Sequence, residues 1–135
     1  MKNIVIDTNV LFSALNSNKG ASFKLLSIID SEKFRVNISN TLIYEYEEIL
    51  KSKLKLEHKY IDSILNYISL IGHKNKIFYL WRPKLKDSDD DFLLELAVKS
   101  NSIIITLNEK DFKLASEFNL KVMTPKQFLK FIGEI

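Results

Sequence analysis

Apolar residues fall along this chain in two alternating rhythms, short unbroken runs and longer stretches at helical spacing. Ile4, Val5 and Ile6 form a β-branched run that ends at Asp7, the pattern of a strand buried on both faces. Helical spacing follows from about 8 to 16 (Val10, Leu11, Ala14, Leu15) and from about 20 to 31 (Phe23, Leu26, Ile29), with Asn18 to Gly20 as the break. Phe34 to Ile38 reads as a second strand. A helix over 40–53 carries Leu42, Ile43, Tyr46, Ile49 and Leu50, and another over 57–71 carries Tyr60, Ile61, Ile64, Leu65 and Ile68 before Gly72 stops it. Ile77 to Leu80 is the third strand candidate, ahead of Pro83. A helix over 89–100 leads to Ser102–Thr106, whose three consecutive isoleucines mark another buried strand. A short helix near 109–117, a strand at 121–123 and a helix opening on Pro125 complete the pass. Strands alternating with helices predict an α/β fold: three layers, α/β/α, around a central, mostly parallel sheet.

Composition narrows the chemistry. The chain has 135 residues, 46% of them hydrophobic, enough for one core and one expected domain spanning 1–135. No apolar run approaches the roughly 18 residues of a membrane span. Asp7 also arrives too early for a signal-peptide core, so a soluble, cytoplasmic protein is expected. The absence of cysteine excludes disulfides, thiolate nucleophiles and cysteine-bound zinc. His58 and His73 stand too far apart in sequence to suggest a histidine metal site or a serine-type triad. Catalysis, if present, must rest mainly on carboxylates. The net charge of +3 is compatible with a nucleic-acid partner without being diagnostic.

Four groups of acids stand out, three of them where strands or helices begin or end. Ligands of parallel α/β sheets bind at the carboxyl ends of strands, where Asp7 sits. Its plain alternative is to cap the following helix, a common use of Asp or Thr worth about 1 kcal/mol. Glu45 lies between Leu42 and Ile49 on the edge of an apolar stripe, whereas Glu47 can pair with Lys51 four residues on and Glu48 has the solvent phase. Asp87-Ser88-Asp89-Asp90-Asp91 packs four acids into five residues at a helix start. Ser88 and some of those acids would serve as cap and dipole partners. Two carboxylates about 5 Å apart still repel by roughly 3 kcal/mol at an effective dielectric of 20, a cost that a divalent cation removes. The topology returns Thr106-Leu107-Asn108-Glu109-Lys110-Asp111-Phe112 to the same sheet edge as Asp7, with Asp111 divided evenly between a site role and a simple helix acid.

Taken in order, these segments resemble the PIN-domain family, in particular the branch that forms the toxin components of toxin–antitoxin pairs. Asp7-Thr8-Asn9-Val10-Leu11 is similar to the opening motif, and Ser39 followed six residues later by Glu45 is similar to the second. Asp87 through Ala97 resembles the third, whose ligand is the acid seven positions before the alanine, here Asp90. Thr106 to Phe112 resembles the fourth, and Thr124-Pro125-Lys126-Gln127-Phe128-Leu129 the closing segment, so the likeness covers essentially the whole chain. One position departs: Asn108 stands where the family often has Asp, with Asp111 three residues on.

The resemblance implies an endoribonuclease that cuts RNA with water activated by one or two Mg²⁺ or Mn²⁺ ions. It implies Asp7, Glu45, Asp90 and Asp111 as catalytic residues, with Asp7, Asp90 and Asp111 as metal ligands. Thr8, Asn9, Asp87, Thr106 and Asn108 would support them. It further implies an antitoxin partner and a homodimer. Candidate phosphate contacts are Lys51, Lys53 and Lys55 and the series Arg82, Lys84 and Lys86, although a solvated surface is the favoured account of them. Tyr79 and Trp81 are candidates for base stacking, with core packing favoured. The runner-up is a catalytically degenerate PIN-like module that binds RNA or a partner, a reading prompted by Asn108. A haloacid-dehalogenase-type phosphatase needs a second Asp where this chain has Asn9, and a phosphoacceptor receiver needs an acid pair at the first strand; both fit poorly.

Overall fold

The computed structural model describes residues 1–77 and 88–135, with side chains from 92 onward in the second segment. Among the described residues five strands form one sheet: β1 (Lys2–Ile6), β2 (Phe34–Ile38), β3 (His73–Lys74), β4 (Ile103–Ile105) and β5 (Val122–Met123). Their order is β3-β2-β1-β4-β5, and every neighbouring pair is parallel. The helices are α1 (Thr8–Asn16), α2 (Ala21–Ser27), α3 (Asn40–Lys53), α4 (His58–Ile71), α5 (Ser88–Ser100) and α6 (Pro125–Phe131), with a 3₁₀ segment at Glu109–Phe118.

Right-handed crossovers dictate the layers. The chain steps from β1 to β2 to β3 in one direction, which puts α1 to α4 on one face. It then crosses to β4 and β5 in the other direction, which puts α5 and the 3₁₀ segment on the opposite face, in contact with each other. The three-layer α/β/α arrangement expected from the sequence is the one found. The runs Ile4–Ile6 and Ile103–Ile105 are buried on both faces, as strands between two helical layers must be. They pack with Leu25, Tyr46, Leu50, Ile61, Leu94 and Phe128 into one hydrophobic core.

Three expectations need correction. The third strand is His73–Lys74, directly after Gly72, and pairs with Asn37 and Ile38 of β2. Of the expected Ile77–Leu80, Ile77 is not in a strand and 78–80 lie outside the described residues. Helix α2 ends at Ser27 rather than near 31, because Ile28 and Ile29 bond back only three residues and Glu32 turns left-handed (φ 65°). Ile29 stays buried beyond the helix end, so periodicity alone overran it. The short helix near 109–117 is a 3₁₀ segment broken at Phe112, whose backbone (φ −118°, ψ 31°) leaves helical geometry while its ring fills the core.

Candidate active site at the carboxyl edge of the sheet

β1 has β2 on one side and β4 on the other, so the chain leaves it in one direction and returns in the other. That makes the gap between the carboxyl ends of β1 and β4 the switch point at which open α/β sheets bind ligands. Two residues follow those strand ends side by side. The Asp7 amide bonds to the Ile105 carbonyl at 2.9 Å, and the Thr106 amide to the Met123 carbonyl at 3.0 Å.

Asp7 caps α1 and reaches Thr106 with the same carboxylate. Its Oδ1 accepts from the Thr8 amide at 2.8 Å, and its Oδ2 accepts from the buried Thr106 hydroxyl at 2.7 Å. Both oxygens are thereby oriented. Glu45, on α3, accepts at Oε2 from the Thr8 hydroxyl at 2.7 Å, so Thr8 touches both acids, one through its backbone and one through its side chain. The position of Glu45 follows from α3: Ser39 caps that helix by accepting from the Leu42 amide, and Leu42, Tyr46 and Leu50 bury its adjacent stripe.

Loop 106–108 is fixed to α1 by Asn9. The Asn9 carboxamide oxygen accepts from the Leu107 amide at 3.2 Å, and its Nδ2 donates to the Thr106 hydroxyl at 3.4 Å. The Asn108 amide donates to the same hydroxyl at 3.0 Å, and its Nδ2 donates to Asp111 Oδ2 at 2.6 Å. A chain of hydrogen bonds thus runs from Asp111 through Asn108 and Thr106 to Asp7. Among the described residues no three acids or histidines gather closely enough to share one ion. Asp87 lies outside the described residues, as does the side chain of Asp90.

Tyr46 is the residue that sequence reasoning passed over. It lies fully buried beneath the acids, and its hydroxyl donates to the Ile6 carbonyl, the last of β1 before Asp7. Its phenol is pushed well above its usual value, first by burial and then by the negative charges of Asp7 and Glu45. The missed signal was a tyrosine inside an apolar stripe, whose hydroxyl must find a partner when buried. The negative field it senses, together with a donor set made only of carboxylate, hydroxyl and carboxamide oxygens, fits a hard divalent cation such as Mg²⁺ or Mn²⁺.

The basic candidates differ among themselves. Lys51 bonds Asp62 at 2.7 Å and Glu47 at 3.3 Å, so its charge is already matched, and those bonds raise its pKa, the one to Asp62 most. Lys53 and Lys55 are exposed. Tyr79, Trp81, Arg82, Lys84 and Lys86 lie outside the described residues. No helix among the described residues is long and apolar enough to cross a membrane.

A family model for the PIN domain matches residues 3–110. An uncharacterized protein of Methanocaldococcus jannaschii, MJ1680, is 28% identical over 141 residues, which span 94% of this chain and 89% of that protein. Among solved structures, VapBC-1 from nontypeable Haemophilus influenzae aligns with a TM-score of 0.64 at 13% identity, over 92% of this chain and 98% of its own. VapBC2 from Rickettsia felis, solved bound to a DNA fragment from its promoter, gives 0.61 at 16% identity, over 89% and 96%. At these identities the structural likeness is one of fold.

Proposed function

Because the chain belongs to the PIN-domain family, whose members are generally nucleases, we propose that it is a divalent-metal-dependent endoribonuclease that hydrolyses RNA phosphodiesters at the Asp7–Glu45 edge of its sheet. The observation that carries this reading is the Asp7 carboxylate, held at both oxygens at the switch point and joined through Thr8 to Glu45. Asp7, Asp90 and Asp111 are the proposed ligands for one or two ions. A bound Mg²⁺ or Mn²⁺ would supply charge neutralisation at the scissile phosphate and a lowered pKa for the attacking water.

The chain's own residues do the rest by position. Glu45, fixed by the Thr8 hydroxyl, accepts a hydrogen bond from the attacking water and orients it toward phosphorus. Thr106 and the Thr8 amide keep Asp7 from rotating away. Asn9 holds the loop after β4 against α1, Asn108 ties that loop to Asp111, and Asp87 is proposed as a further supporting acid. Tyr46 stays neutral at physiological pH and anchors the strand end that carries Asp7. Lys53, Arg82 and Lys84 are the proposed phosphate contacts; Lys51 is the weakest of this group because two carboxylates already hold it.

The fold shared with VapBC-1 and VapBC2 supports a toxin role with a cognate antitoxin partner, and with that role we propose an antitoxin that covers the acidic edge, a homodimeric assembly and a cytoplasmic location. The test is cleavage of a mixed RNA pool by the purified protein with Mg²⁺, with Mn²⁺ and with chelator. Cutting that needs the metal is the expected result; cutting that persists in chelator, or no cutting at all, overturns the proposal. One observation favours a second reading, a degenerate RNA-binding module: Asn108 brings no charge to the site and turns its carboxamide onto Asp111. That reading requires RNA binding without cleavage under every metal condition.

A further inference from the structure

The opposite edge of the sheet, at the amino ends of β1, β4 and β5, carries a cavity of about 290 Å³ with no acid in its lining. Lys2, which opens β1, and Lys121, which leads into β5, both stand over the ring of Phe131, with their Nζ atoms 4.8 and 5.1 Å from its centroid. Neither ammonium has a carboxylate within 4 Å among the described residues, in contrast to Lys33, Lys51 and Lys59. Two like charges converging on one half-exposed ring repel each other, and the ring offsets only part of that cost.

Asn101 and Asn119 complete the wall. Both take the left-handed conformation (φ 51° and 58°) just beyond a helical segment. In each case the following amide reaches back five residues, Ser102 to the Ala97 carbonyl and Leu120 to the Ala115 carbonyl. These bonds satisfy carbonyls at the ends of α5 and the 3₁₀ segment, which would otherwise present negative charge to the cavity. Neither asparagine carboxamide has a hydrogen-bond partner among the described residues, so each brings donors to a site already rich in positive charge.

We propose that this cavity binds a backbone phosphate of single-stranded RNA between Lys2 and Lys121, with Asn101 and Asn119 donating to its oxygens, as an exosite remote from the acids. The five residues of β1 set Lys2 about 17 Å from Asp7, so a phosphate held here is not the one being cut. The proposal rests on the reading of the protein as acting on RNA, but its test needs no cleavage.

The test is a titration of the isotope-labelled protein in chelator, followed by backbone amide shifts, with a uridine oligonucleotide, uridine monophosphate and inorganic phosphate as separate probes. The oligonucleotide is expected to shift the amides of Asn101 to Ile103 and Asn119 to Lys121. Those shifts are expected to vanish in the Lys2→Gln/Lys121→Gln variant and persist in Lys2→Arg/Lys121→Arg. The slope of log affinity against log salt is expected to fall by about 0.7 in the glutamine variant, the loss of one phosphate contact. Oligonucleotide shifts confined to the Asp7–Thr106 edge overturn the exosite. So does saturation by inorganic phosphate or the mononucleotide with no response to the oligonucleotide, which would make this a small-anion site. A protein that binds RNA here but cuts nothing with any metal ends the nuclease reading and leaves the exosite standing.

Discussion

Substitution of Thr106 by valine keeps its shape but removes the hydroxyl that donates to Asp7 Oδ2 and accepts from Asn9 Nδ2 and the Asn108 amide. A hydrogen bond to a charged group is worth about 1.5 to 3 kcal/mol, so Thr106→Val is expected to slow single-turnover RNA cleavage by roughly 10- to 100-fold with an unchanged circular dichroism spectrum. Tyr46 permits a complementary test. Tyr46→Phe leaves the buried Ile6 carbonyl without its phenol donor and is expected to lower stability by about 1 to 2 kcal/mol, read as a shift in denaturant midpoint at constant slope. The phenol also makes stability depend on pH. Its pKa is raised in the folded state, so above pH 10.0, the ordinary phenol value, the unfolded chain loses a proton that the folded chain keeps. Stability is therefore expected to fall as pH rises beyond that point, and less steeply in Tyr46→Phe. Asp7 was legible in the sequence because a strand end is a position with functional meaning. Tyr46 was not, because its helical phase marks it for the core and says nothing of what its hydroxyl would meet there.

Elements were legible where the apolar pattern is what holds them. The β-branched runs of β1 and β4 and the stripes of α3 and α4 face the core as their spacing predicts, except Tyr60, which is exposed. β3 escaped because His73 and Lys74 are both exposed; its strand character comes from pairing with β2 and leaves no hydrophobic trace. The same junction explains Gly72. A Cβ there would stand 2.8 Å from the Ile68 carbonyl oxygen and 3.0 Å from Ile38 Cδ1, so α4 meets β2 too closely for a side chain. Gly72→Ala is expected to destabilise the protein by about 1 to 3 kcal/mol, the usual cost of overpacking, measurable by chemical denaturation. The 3₁₀ segment shows a different limit. Phe112 and Ala115 carry a helical pattern, but burial of the Phe112 ring takes precedence over regular helical hydrogen bonding.

For the whole molecule, the strand order separates two chemistries. Carboxylates gather at the carboxyl edge, where β1 and β4 part and α1 begins, and unpaired lysines gather at the amino edge around Phe131. The first was legible because Asp7, Glu45 and Thr106 each follow a recognisable signal at a strand end or on an apolar stripe. The second was not, because Lys2, Asn101, Asn119, Lys121 and Phe131 are scattered along the chain, and only the parallel sheet brings them together. The acid pair carries the central claim, and Asp7 is its most exacting member because it also caps α1. The most direct measurement is the rate of metal-dependent RNA cleavage by Asp7→Asn beside the wild type, with folding checked by thermal denaturation. The carboxamide keeps a capping oxygen while removing the charge, so the variant is expected to fold and to lose cleavage. An Asp7→Asn protein that folds normally and cuts RNA at the wild-type rate would contradict the assignment of the site.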